Sequence, residues 1–174
     1  MSFLDMIGHR SVARWRTGDL EGAAEDVART VAILGESVFP AYTALPGQAA
    51  AAQTAAALWE SDPSDRSHAR LFRALSRSLL SLSRSSPIAK SEAQLWKGVW
   101  LWRRGRRAAA RRAWAKALNA ALSIGLPATE AAVYDWSGRL DPDAPTDYVG
   151  KAVRLYGELG YTWDAQRLET YDRP

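Results

Sequence analysis

Residues 95–114 read LWKGVWLWRRGRRAAARRAW, four tryptophans and six arginines in twenty positions. Such a stretch suits a phosphate backbone or a lipid interface, and it equally suits a helical hairpin with a buried seam and a solvated back. Two glycines decide the matter. Gly98 and Gly105 divide the stretch, with Gly105 as the turn residue, into two helices that fold back on each other. On the first helix Gly98 permits close approach of the second, on which Ala110, Trp114, Ala117 and Ala121 recur at three and four to form one seam. Trp96, Trp100 and Trp114 are then expected in the core. Arg107 and Arg111 make one charged stripe beside the seam, and Arg112 with Lys116 another.

Working outward, helix formers dominate and long alternations of valine, isoleucine and threonine are absent, so the fold class is all-α. Glycine and proline punctuate the chain and leave helical segments at about 3–16, 19–34, 46–60, 65–84, 91–104, 106–123, 129–139, 146–159 and 162–171. Asp65, Ser91, Thr146 and Thr162 are expected N-caps, because their side-chain oxygens can accept from the first-turn amides. Gly35, Gly125 and Gly160 are expected helix terminators. In the second helix Leu20, Ala23, Ala24, Val27, Val31 and Leu34 form a buried stripe, with Glu21, Glu25, Asp26 and Arg29 on the other side. In the fourth, Leu71, Ala74, Leu75, Leu79 and Leu82 do the same, with Arg70, Arg73, Arg77 and Arg84 outward.

Aligning Gly18 with Gly105 places Ala23 over Ala110, Val27 over Trp114 and Val31 over Leu118, and a similar run, DYVGKAVRLYGELG, closes a later hairpin. Self-similar helix pairs at a period near forty residues mark a solenoid, because one hairpin cannot bury its apolar face alone. The spacing of Gly98, Gly105, Ala110, Trp114 and Ala117 resembles the tetratricopeptide repeat. Together these expectations describe one domain, 1–174, of about four antiparallel hairpins (3–34, 43–84, 91–124 and 128–159). They would stack as a short right-handed tetratricopeptide-like solenoid with a C-terminal capping helix, 162–171.

The resemblance implies that the first helix of each hairpin lines a concave groove, which points Leu95, Val99, Trp102 and Arg103 toward a partner. Over nearly the whole chain, segments such as WRTGDLEGAAEDVART, SSPIAKSEAQLWKGVWLWRRGRRAAARRAWAKALNAALSIGLPATEAAVYDWSGRL and LYGELGYTWDAQRLE also resemble the C-terminal repeat region of large bacterial signalling proteins. Those proteins join a class III adenylate or guanylate cyclase domain, or a protein kinase domain, to an NTPase module and then to tetratricopeptide-like repeats. The sequence carries no P-loop and no cyclase aspartate motif, so the resemblance implies a scaffold rather than an activity.

The net charge of +4 conceals an asymmetry: from Ala93 to Thr129 there are eight bases and no acid, whereas Glu130 to Pro174 holds nine acids against five bases. Such a pattern attracts an acidic partner or lets neighbouring segments complement each other. There is no cysteine, His9 and His68 are far apart in sequence, and no nucleophile sits near a base. Asp141, Asp143 and Asp147 cluster in a proline-rich loop without calcium-loop spacing, which suits turns and caps. No cofactor, metal or catalysis is therefore expected. MSFLDMIGHR has neither the basic start nor the long apolar run of a secretory signal, and no stretch approaches 18 uninterrupted apolar residues, so a cytoplasmic protein without membrane contact is expected. The expected function is a non-catalytic scaffold or regulatory module that binds a peptide or helix of a partner protein. The alternative is nucleic-acid backbone binding through Arg106, Arg107, Arg111, Arg112 and Lys116. Trp163, Leu168 and Tyr171 would cap one end of the array, leaving Phe3, Leu4 and Ile7 of the first hairpin as a contact for self-association.

Overall fold

The computed structural model describes residues 2–36 and 44–171. All regular structure among them is helical: α1 (Phe3–Arg16), α2 (Leu20–Glu36), α3 (Leu45–Ser61), α4 (Arg66–Leu82), α5 (Ala89–Arg103), α6 (Arg107–Ile124), α7 (Pro127–Leu140), α8 (Tyr148–Glu158) and α9 (Thr162–Glu169). The expected break at Pro40 and hairpin start at residue 43 lie outside the described residues. The chain forms two compact units, Met1–Trp96 and Lys97–Pro174, divided within α5.

The turns explain the spacing. At Gly18, with φ +86°, the chain turns left-handed and the Asp19 amide donates to the Arg14 carbonyl at 2.9 Å. Gly105, with φ +73°, repeats this, the Arg106 amide donating to Leu101 at 2.9 Å. The same six-residue closure recurs after Gly125 and Gly160, from Leu126 to Ala121 and from Tyr161 to Tyr156. Each satisfies carbonyls that a helix end would otherwise leave unpaired.

In the first unit α1 pairs with α2 and α3 with α4, while α1 lies along α3 and α2 along α4. Gly8 and Gly47 meet where α1 crosses α3; a methyl group on either would overlap the other helix's backbone. Around that contact the Gly47 amide donates to Asp5 Oδ1 at 3.1 Å, and the Ser11 and Thr54 hydroxyls meet at 3.0 Å. Only small residues fit beside backbones this close, which is why α3 carries so many alanines and why most of them are buried. The large side chains gather at one side: Trp59 contacts Phe72 with ring centres 5.9 Å apart, and Phe72 meets Trp96 edge-on at 6.1 Å. α2 is tied to α1 by Asp26, which receives Arg10 at 2.5 Å and Arg14 at 3.3 Å.

In the second unit Ala131, Tyr134, Ala152, Leu155, Tyr156, Ala165 and Leu168 form the core shared by α7, α8 and α9. Asp135 lies inside it, held by Arg139 at 2.6 Å and Arg167 at 2.5 Å, with the Tyr156 hydroxyl 3.4 Å away. Burial, reinforced by the Asp135 charge, pushes the Tyr156 phenol well above its ordinary range. The Tyr171 hydroxyl donates to the Arg139 carbonyl at 3.1 Å, and Leu168 is buried, so the closing segment packs on α7 and α8.

Several local expectations are corrected. Asp65 caps α4 through the Ser67 amide, but α5 begins at Ala89, leaving Ser91 buried inside the helix with its hydroxyl on the Ile88 carbonyl. Asp147 rather than Thr146 precedes α8, and Tyr161 rather than Thr162 precedes α9. Gly35 does not end α2, which runs on to Glu36. Asp26, read as outward, is buried because two arginines of α1 reach over it. Ile7 is likewise in the core rather than on a free end; Leu4 is half-buried, and exposed Phe3 lies beneath the Arg29 guanidinium, 5.2 Å from its ring centre.

The glycine contact generates a sharp mutational contrast. Gly8→Ala forces α1 and α3 apart and is expected to cost about 2–4 kcal/mol in urea unfolding. Gly150→Ala, in α8 with open space around it, should instead gain up to about 1 kcal/mol from helix propensity.

Candidate functional site

Residues 95–114 fold as the sequence implies and face differently from what the groove reading requires. Leu95 and Val99 are fully buried, and Trp102 is only 7% exposed. α5 is covered on nearly all sides, Lys90 being its one exposed residue, which leaves it little free face. Arg103 is half-buried. Trp102 stacks at 5.4 Å on Trp114, while the Arg107 guanidinium covers it 3.7 Å from the ring centre. Trp114 in turn lies against Gly98, where any side chain would strike the indole. Trp96 and Trp114 are core residues as expected, and Trp100 is half-buried with Arg104 6.0 Å over its ring.

The basic stripe of α6 is also partly spent inside the chain. Arg107 covers Trp102. Arg111 grips Asp141 with both Nε and Nη2, at 2.6 and 2.7 Å, and reaches Asp143 at 2.5 Å. Arg106, Arg112 and Lys116 are exposed. The bidentate pair turns the acidic loop after α7 back onto α6. Asp141 is the residue just past α7, its amide on the Ser137 carbonyl, and its side chain is only 5% exposed against 43% for Arg111 and 72% for Asp143. Burial pushes the Asp141 carboxyl up, but the Arg111 hydrogen bonds, the Asp143 amide and the nearby guanidinium charges outweigh it and hold the carboxyl below its usual range.

That clasp forms the rim of a cleft of about 270 Å³ between α6, α7 and the start of α8. Its floor is Trp114, Ala115, Leu118, Val133, Pro145 and Tyr148, with Arg111, Asp141 and Asp143 at the edge. Tyr148 is steadied edge-on by Tyr134 at 4.8 Å. An apolar floor with a few polar groups at one edge is the chemistry of a site for one apolar side chain. Ser137 also lines it, with its hydroxyl donating to the Val133 carbonyl at 2.6 Å. Among the described residues no group of three or more histidine and acidic side chains could hold a metal. His9 Nδ1 lies 2.8 Å from the Asp5 carbonyl and His68 lies 3.6 Å from Asp65, both local contacts within their own helical segments.

Of the sequence-derived candidates, Arg111 alone belongs to this cleft. Asp141 and Asp143 were legible only as loop and capping residues, and Tyr148 only as part of the helical run DYVGKAVRLYGELG, because nothing in the sequence pairs positions 111 and 141. The charge change between the basic middle and the acidic end was the available signal. No helix among the described residues is long and apolar enough to cross a membrane. No family model, curated protein or solved structure matches the chain.

A carboxyl held below its normal range contributes stability above its unfolded pKa and loses it as pH falls through the folded value. Asp141→Asn should therefore be less stable than the parent by about 1.5–3 kcal/mol at pH 6, the difference shrinking below about pH 3.9. Urea titrations of both proteins across that range measure it.

Proposed function

We propose that the chain is a non-catalytic helical-repeat module of the tetratricopeptide kind, its hairpins of the sort that stack into right-handed solenoids, and that it binds a segment of a partner protein. The observation that carries this reading is the cleft at Trp114, Leu118, Val133 and Tyr148: an open, apolar, side-chain-sized site whose charged rim is fixed by the Arg111 clasp. The repeated left-handed turns at Gly18, Gly105 and Gly160 support the repeat assignment. The site moves from the first helix of the hairpin, which is core, to the surface of the second. A regulatory place in a bacterial signalling protein, in the cytoplasm, is the setting that the family resemblance implies. Nucleic-acid backbone binding has less to stand on, since two of its five proposed cations, Arg107 and Arg111, are already engaged within the chain.

A photo-crosslinking residue at exposed Ala115, on the cleft wall, should yield a discrete adduct with one protein in the cells that make this chain. The same residue at exposed Gly157, in open surroundings on α8, should not. Leu118→Arg should abolish the adduct. Identical adducts from both positions, or none from Ala115, would remove the cleft as a partner site.

A further inference from the structure

The apolar stripes of α2 and α4 are wider than the seam they bury. On α2, Ala23 and Val27 are fully buried, whereas Ala24, Val31 and Leu34 keep part of their surface. On α4, Leu75 and Leu79 are buried, while Leu71 and Ala74 remain half-open. The leftovers line two successive depressions on the α2–α4 seam, of about 480 and 350 Å³. The first lies between Ala24, Ala28 and Leu71, and the second between Val31, Leu34 and Ala74. One turn separates Ala28 from Val31 and Leu71 from Ala74, so the two make a single trough roughly 20 Å long at 1.5 Å per residue.

The walls carry opposite charge. Glu21 and Glu25 stand on the α2 side, Arg70 and Arg77 on the α4 side. Among the described residues, none of these four is joined to another by an ion pair. Glu21, Glu25 and Arg70 line the first depression and Arg77 the second, so charges of both signs stay available to an occupant. The walls are helices whose amides and carbonyls are already bonded, so there is no main-chain edge for an extended strand to pair with. Half-open Ala24 and Val31 with exposed Ala28 make one ridge along α2, and a ridge of this kind fits the groove of a second helix.

We propose that this trough docks an amphipathic helix of a protein partner. Its apolar stripe would lie over Ala28, Val31 and Leu71, its basic flank along Glu21 and Glu25, and its acidic flank along Arg70 and Arg77. This surface lies in the first unit and does not depend on the cleft of the second.

Three fluorescent 14-residue helical peptides with one common leucine stripe test it on the full chain by anisotropy at low salt. One has lysines on one flank and glutamates on the other, one has lysines on both, and one has glutamates on both. A helix can enter the trough in either direction, so only the mixed peptide can satisfy both walls. It should bind about tenfold tighter than either single-sign peptide. Ala28→Arg, at an exposed position, should abolish binding with thermal melting unchanged, and the Glu21→Lys/Glu25→Lys double variant should shift preference to the all-glutamate peptide. Equal binding of all three peptides, no binding of any at millimolar concentration, or equal binding of a proline-interrupted mixed peptide would overturn the proposal.

Discussion

The close approach of α1 to α3 at Gly8 and Gly47 is the constraint on which the first unit depends. Helices normally pack 8–10 Å apart because their side chains hold them there. Removing the side chain on both sides of one crossing brings the backbones into contact and dictates what can surround it. The neighbours must be small, hence the alanines of α3, and polar groups near the crossing must be bonded, hence Asp5 on the Gly47 amide and Ser11 with Thr54. A helix of alanines buries little apolar area per residue. The bulk is supplied from the far side of α3 and from α4 and α5 by Trp59, Phe72 and Trp96. The second unit uses the complementary device, a single glycine at 98 receiving the whole indole of Trp114.

Buried carboxylates provide the other common element. Asp26, Asp135 and Asp141 are each almost wholly buried, and each is gripped by at least one guanidinium. A buried charge is tolerable only when its lone pairs are bonded, and arginine's planar fork meets a carboxylate with two parallel donors where lysine offers a single point. Part of the arginine excess is thereby explained without a polyanionic partner. Arg10, Arg14, Arg111, Arg139 and Arg167 bridge helix to helix, helix to loop or turn to turn of their own chain.

The fold class and the helix breaks were legible because they rest on local chemistry: a glycine that ends a helix, a proline that starts one, a three-and-four spacing of apolar residues. Gly18, Gly105, Gly125 and Gly160 adopt the left-handed conformation and close the helices before them. Capping by Ser91 and Thr162 was misread because a serine or threonine near a helix start is equally at home inside the first turn, as Ser91 is with its hydroxyl on the Ile88 carbonyl, whereas Thr146 stands one residue before the cap of α8. The candidate site was hardly legible at all. Arg111 and Asp141 are thirty positions apart, and nothing in their local sequence distinguishes a carboxylate that caps its own loop from one that receives a distant guanidinium.

The burial of Leu95, Val99 and Trp102, expected to face a groove, has a physical cause. Periodicity identifies an apolar stripe but cannot say how many neighbours a helix will have. α3 and α5 are covered on almost every side, so their tryptophans and leucines are consumed by packing however well they would suit a partner. α2, α4 and α6 are amphipathic, and each retains apolar surface beyond the seam it closes: Ala24, Val31 and Leu34 on α2, Leu71 and Ala74 on α4, Ala115 and Leu118 on α6. In each case charged side chains border that surface, which keeps isolated apolar area soluble and also gives a bound segment a preferred register. α2, α4 and α6 thus keep apolar surface of a kind that α3 and α5 have spent on packing.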